Sequence, residues 1–448
     1  MTIEPDSLKS VHIKRFKRID DATFDLQAIN VLVGANNSGK STIIQGLHFG
    51  IGLIQTIALA EKLASSKNTL RTSLNPAQLL YSPAEDVSAL GSGGRLFESK
   101  QQEPMTIAFY LVSGEVCSIQ IRKGRNRNIL VAIDNVSVAQ RLSSLERPFS
   151  IFSPGLAGIA KREEYVSDGV LLRALARGDA NLVLRNILLR LWETDGSWQS
   201  FMIDLLEIFP TVDLNVTFKR STDEVIDVSV KLGTGHIPLE IAGTGLLQAI
   251  QILAYIHRFA PRVIVLDEPD SHLHPNNQRL LCSLLRRVAE ERGTQVILTT
   301  HSRHVVDAIE RSCGLLWIRN GEVDKAGQED EIGILLEIGA LDVKERLNQE
   351  GTEAIVLTED ELTQPIEVVL SSSGFNISKT LILSYHGVTV QKNLRPLVDI
   401  IKAGNSRATI VVHRDKDFLS TDEVKDWEAS MRAIGVQPFV TQTRDLEA

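Results

Sequence analysis

Residues 29–41 read INVLVGANNSGKS, and this stretch decides the fold. Ile29 to Val33 is short, apolar and rich in β-branched residues, as expected of a strand buried on both faces of a parallel sheet. Gly34-Ala35-Asn36-Asn37-Ser38-Gly39-Lys40-Ser41 then satisfies the GxxxxGK[ST] pattern, between that strand and a helix expected to begin near Lys40. The glycines let backbone N–H groups curl around a β-phosphate, and the helix N-terminus adds a partial positive charge. Gly34, Asn36, Asn37, Ser38, Gly39, Lys40, Ser41 and Thr42 are therefore the candidate nucleotide-binding residues. Lys40 is placed to reach the β- and γ-phosphates, and Ser41 to set its hydroxyl on Mg2+.

Upstream of the loop, apolar alternation over residues 11–16 and the run 24–26 predict strands. Downstream, residues 51–235 read less clearly. They hold a polar Ser/Gly-rich segment at 88–99, strand-like pieces at 105–112, 116–122 and 128–134, and a helical stretch from 170 to about 207. No heptad pattern persists there, which excludes a long coiled-coil arm. From 237 to 318 the pattern becomes helix, strand, helix, strand, strand, with compact apolar runs at 263–266, 295–299 and 315–318. The first of these runs ends in Asp267-Glu268-Pro269. At a strand end beside a phosphate loop, Asp267 can hold the magnesium shell and Glu268 can polarise the attacking water. Thr299-Thr300-His301-Ser302 closes the next strand and puts His301 on the same sheet edge.

The 448 residues are 43% hydrophobic and 23% charged, with a net charge of −8. This describes a globular chain of two or three domains. No uninterrupted apolar run reaches the ~18 residues of a membrane span, and the N-terminus lacks a signal-peptide core. No membrane association and a cytoplasmic location are the expectation. Cys117, Cys282 and Cys313 are scattered, which argues against a zinc site or a disulfide framework. Charge is uneven: residues 321–448 carry 13 Lys/Arg and 23 Asp/Glu, whereas residues 121–190 carry 12 basic and 6 acidic groups. The basic middle is either a solvated hairpin tip or a nucleic-acid contact surface.

Past residue 325 a second α/β unit begins, with strands expected near 354–357, 381–384 and 409–413. The first ends at Glu359, and the last runs into Asp415-Lys416-Asp417. Alternate residues of an extended segment point the same way, so Asp415 and Asp417 are expected to face one Mg2+, with Glu359 approaching from the neighbouring strand end.

The ordered set of phosphate loop, Ile241-Ala242-Gly243-Thr244-Gly245-Leu246 leading a helix, Leu266-Asp267-Glu268-Pro269 and Thr300-His301-Ser302 resembles the ABC-type ATPases, in their branch with SMC, RecF and OLD proteins. The resemblance implies an α/β fold: an ABC-type core from residues 1–50 and 236–325, with 51–235 as an inserted dimerisation or arm region. Gly243 and Gly245 would belong to a signature turn, in which Ala242 stands where the family has serine. That turn would complete the ATP site of a second copy in a head-to-tail homodimer held together by ATP. Asp270 to Pro275 matches the family's D-loop and makes His272 and His274 dimer-contact residues rather than metal ligands. Gln78 is the candidate for the glutamine loop. The C-terminal acids and Gly387 resemble the Toprim domain over 350–448, where Glu447 would supply a further acid and a following lysine is missing. An ABC-type ATPase followed by Toprim resembles the OLD family of ATP-dependent DNA endonucleases, several of which serve in bacterial antiphage defence. ATP and Mg2+ are the implied cofactors and DNA the implied partner. The alternatives are an ATPase sensor or scaffold that recruits a separate effector protein, and a RecF-like DNA-repair ATPase.

Overall fold

In the computed structural model all five residues of the strand Ile29–Val33 are buried. The strand lies inside a six-stranded sheet ordered Glu322–Lys325, Gly314–Arg319, Ile29–Val33, Gln295–Thr299, Val263–Leu266, Ser150–Ser153. All neighbours pair in parallel except Glu322–Lys325, an antiparallel edge. Leu32 aligns with Thr299, and Leu266 with Leu298. The chain segments that follow these three strands therefore leave from one sheet edge, where α/β sheets bind ligands. The structure describes residues 5–34, 37–63, 68–98, 101–155, 158–232, 235–309, 313–325, 352–360, 364–384, 394–404, 407–417 and 419–441. Asn36, Gly387 and Glu447 lie outside them.

The chain divides into two compact units, Met1–Ala326 and Gly327–Ala448. In the first, a six-stranded antiparallel sheet is ordered Ile19–Asp25, Leu8–Phe16, Met105–Leu111, Val116–Lys123, Ile129–Asp134, Thr69–Leu74. Helix Lys40–Leu59 shares one hydrophobic core with both sheets: Ile43, Ile44 and Leu47 join Ile13 and Phe109 on one side and Val265 and Ile297 on the other. A Cβ on Gly50 would stand 2.9 Å from Ile107 and Phe109, so glycine sets how closely this helix approaches the antiparallel sheet. By length and composition the helix could cross a membrane, yet 78% of its apolar window is buried inside this unit.

Residues 51–235, expected as an insertion, do not stand apart from the core. They supply the edge strand Ser150–Ser153 to the parallel sheet and four strands to the antiparallel one. The physical reason is that neither face of helix Lys40–Leu59 is polar, so both need a covering sheet. The expected single helical stretch is three helices, Asp168–Arg177, Leu184–Trp192 and Ser197–Ile208, the last two packed against helix Thr244–Phe259.

Asn320-Gly321 joins Gly314–Arg319 to Glu322–Lys325 with Arg319 aligned to Glu322, and both turn residues take positive φ, 51° and 82°. That is the type I′ hairpin turn, which Asn-Gly favours. In the second unit four parallel strands are ordered Thr380–Ser384, Ala354–Thr358, Thr409–Arg414, Gln437–Val440.

Candidate functional site

The phosphate loop is braced from outside by one backbone and one side-chain hydrogen bond. Gly321 N–H donates to Ser38 O at 2.8 Å, and Arg18 Nη1 donates to Asn37 O at 2.6 Å. A Cβ on Gly34 would stand 2.3 Å from Ile318 O, so only glycine fits against that strand. Asn37 takes φ 64°, a left-handed conformation that asparagine tolerates. Ser38 is buried, and Gly39 at φ 115° opens helix Lys40–Leu59. Lys40 is 5% exposed, and its Nζ donates to Gly34 O at 2.7 Å, inside the loop where a phosphate would be held. Thr42 is half-buried in the first helical turn.

Ser41, Asp267 and Thr299 meet from three parts of the sequence. Ser41 Oγ donates to Asp267 Oδ1 at 3.1 Å, and Thr299 Oγ1 donates to the same oxygen at 2.7 Å. A hydroxyl beside a carboxylate is the donor set a magnesium ion takes from protein, so Ser41 and Asp267 fit Mg2+. Glu268 adopts φ 48°, with its N–H donating to Thr299 Oγ1 at 2.9 Å and its carbonyl accepting from Gln248 Nε2 at 3.0 Å. Its carboxylate lies 3.4 Å from His301 Nε2, and both side chains are partly open to solvent. The structure thus brings together Ser41, Asp267, Glu268 and His301 beside the phosphate loop.

The two glycines before helix Thr244–Phe259 differ in role. Gly243 has no atom within 4 Å of a would-be Cβ, whereas one on Gly245 would stand 2.5 Å from His272 O. Gly245 is thus a packing glycine against the loop Asp270–His274, and the N-cap Gly243 and the first helical residue Thr244 are exposed near Ile241, which is 65% exposed. His274 caps helix Pro275–Arg292. Gln78 is exposed on the one-turn helix Pro76–Gln78, and no described side-chain hydrogen bond ties it to the phosphate loop.

In the second unit Glu359 and Asp415 follow adjacent parallel strands, and Asp415 N–H donates to Glu359 Oε1. Burial, with Asp415 and Asp417 nearby, pushes the Glu359 carboxyl up to about 7. Asp417 is exposed at φ 44°. The closest grouping is not the expected one: Asp360, His413 and Asp415 present ligand atoms within 4.8 Å of one another. His413 is fully buried, with Nδ1 3.6 Å from Asp360 Oδ2 and Nε2 3.6 Å from Asp415 Oδ1. Burial pushes its imidazole down to about 4, so it is neutral, the form that can ligate a metal. His413 and Asp360 were not among the expected ligands.

Comparison with known proteins bears on the first unit. Residues 199–307 match the family described as "AAA domain, putative AbiEii toxin, Type IV TA system", and residues 7–50 match the "AAA ATPase domain" family. The cell division ATP-binding protein FtsE of Streptococcus pneumoniae is 32% identical over 116 residues, 26% of this chain and 48% of that protein. The thiamine import ATP-binding protein ThiQ of Vibrio parahaemolyticus is 29% identical over 128 residues, 28% of this chain and 53% of that protein. The chain spans about half the length of these curated relatives. Among solved structures, the Smc head bound to the C-winged helix domain of ScpA superposes with a TM-score of 0.47 at 14% identity, covering 72% of this chain and 99% of that one. The matched families fall on the phosphate loop and on the Asp267–His301 region that the fold brings together, so these parts of the first unit are similar to ATP-binding domains of the AAA and ABC ATPase type.

Proposed function

We propose that the chain couples ATP hydrolysis in its first unit to Mg2+-dependent cleavage of DNA in its second, as an OLD-type ATPase with a Toprim-like nuclease unit acting in antiphage defence. One observation carries this reading: each unit sets carboxylates just past the C-terminal ends of parallel strands, Asp267 and Glu268 after one strand in the first and Glu359 and Asp415 after two adjacent strands in the second. In the first unit Lys40 and the loop amides bind the phosphates, Ser41 and Asp267 hold Mg2+, Glu268 accepts the proton of the attacking water and His301 steadies the γ-phosphate. Bound Mg2+ neutralises developing phosphate charge. Two copies close head to tail over ATP, with exposed Gly243 and Thr244 facing the other copy's loop, and hydrolysis releases them. In the second unit Glu359 and Asp415 would hold a metal ion that neutralises charge on the DNA phosphate. Basic residues between 121 and 190 hold the DNA backbone. The toxin–antitoxin name of the matched family supports a defence role.

The test uses the full chain with MgATP and with plasmid DNA in Mg2+ or Mn2+. Glu268→Gln is expected to keep ATP bound and slow its turnover, and Asp415→Ala to abolish cleavage. Intact plasmid with the parent protein sinks the nuclease half and leaves a sensor that recruits a separate effector. Unchanged turnover in Glu268→Gln sinks the hydrolytic assignment.

A further inference from the structure

Gln278, in the first turn of helix Pro275–Arg292, is 9% exposed, and both ends of its amide are engaged. Its Nε2 donates to Asp270 O at 3.1 Å and to Leu273 O at 2.9 Å, while Oε1 accepts from Ser302 Oγ at 2.6 Å. One side chain thus joins the loop that follows Glu268 to the segment that carries His301. A second link runs beside it: Thr300 Oγ1 donates to buried Asp270 Oδ2 at 2.8 Å and accepts from Ser302 N–H at 2.9 Å. His301 therefore sits between two residues that are each tied to the loop Asp270–Leu273.

We propose that Gln278 is a positioning residue for nucleotide hydrolysis, clamping the loop after Glu268 to Ser302 so that His301 is held against Glu268. The inference rests on hydrolysis at Glu268 as proposed above. The backbone at Glu268 is in a left-handed conformation that a non-glycine residue keeps only when its surroundings enforce it. The Thr299 and Gln248 hydrogen bonds hold Glu268 itself. Gln278 fixes what lies on either side of the gap between the two side chains. Leucine at 278 has nearly the same volume but leaves two carbonyls and one hydroxyl without this partner, so loop and switch can move independently.

The experiment is a double-mutant cycle on MgATP turnover by the full chain, with nucleotide stoichiometry measured by a fluorescent ATP analogue. Gln278→Leu is expected to lower kcat about 10- to 100-fold, because a misplacement near 1 Å can cost up to about 100-fold. KM and one nucleotide per chain are expected to stay as in the parent. Because Gln278 acts through His301, the pair Gln278→Leu with His301→Ala should turn over no slower than His301→Ala alone. Multiplied losses in the pair, or a bound-nucleotide count that falls in step with kcat, overturn the proposal. Should Gln278→Leu fail to fold, Ser302→Ala removes the other half of the clamp and carries the same expectation. If Glu268→Gln slows turnover but Gln278→Leu and Ser302→Ala do not, the clamp alone is refuted. If Glu268→Gln turns over like the parent, the hydrolytic reading falls as well.

Discussion

Gly321→Ala probes how the phosphate loop is braced. Gly321 has φ 82°, and a Cβ there would stand 2.4 Å from Arg18 O, a backbone atom that cannot rotate away. Holding alanine in the left-handed region costs about 1–2 kcal/mol. Forcing two backbone segments apart adds about 1–3 kcal/mol, the range seen for overpacked interiors. Gly114 separates the two contributions, because it has φ 87° and nothing within 4 Å of its would-be Cβ. Gly114→Ala should therefore lose only the conformational part. Thermal unfolding of the full chain reads the difference, with about 2 °C in Tm expected per kcal/mol for a unit of this size. The same displacement pulls on the hydrogen bond from Gly321 N–H to Ser38 O, so binding of an ATP analogue should weaken in Gly321→Ala and not in Gly114→Ala. Equal Tm losses with equal nucleotide affinity in the two variants would refute the bracing argument.

Two other perturbations test the buried acids. The Glu359 carboxyl titrates at about 7 in the folded chain against an ordinary 4.5, so the folded state holds this proton more tightly. Its contribution to stability is therefore complete below about pH 4.5 and is lost as pH rises through 7. After allowance for its partial exposure the loss is on the order of 1 kcal/mol. Glu359→Gln should remove this fall, seen as urea midpoints at pH 5 and pH 8 that converge relative to the parent, whereas an unchanged difference would contradict the assignment. Arg185 is 4% exposed, with Nη1 on Ala160 O at 2.6 Å and Nη2 on Glu240 Oε2 at 2.7 Å, and its backbone N–H donates to buried Glu163 at 2.8 Å. Arg185→Met keeps the backbone bond but strips the guanidinium from Ala160 O, from the Glu240 carboxylate and from buried Glu163, whose Oε2 lies 3.9 Å from Nη1, at about 3–5 kcal/mol in urea unfolding. A loss below about 1 kcal/mol would show the pair to be dispensable.

The parts of the fold legible in the sequence are those whose signal is local. A five-residue run of buried strand type before a glycine loop, and an apolar strand ending in Asp267-Glu268, need nothing distant to be read. Asn320-Gly321 carries an equally local hairpin signal. Its consequence could not be read locally, because its partner is the Arg18 carbonyl near the other end of the unit. Ser150–Ser153 is illegible for a related reason: four residues are too short to show a period, and pairing with Val263–Leu266 makes them a strand. The links of Gln278 join segments separated by up to 24 residues and depend on the helix that places them.

The acidic cluster shows where a sound local rule stops. Alternate residues share a side only while the backbone stays extended, and the strand Thr409–Arg414 ends one residue before Asp415. At Asp417 the chain has turned to φ 44°, so the alternation carried from Asp415 forward to Asp417 no longer applies. Carried backward it does apply, because His413 lies inside the strand, and its Nε2 is 3.6 Å from Asp415 Oδ1. The neighbouring strand Ala354–Thr358 then brings Thr358 Oγ1 to 2.9 Å from the other ring nitrogen, with Asp360 Oδ2 3.6 Å from it. An i, i+2 pairing is thus informative toward the strand and not beyond its end.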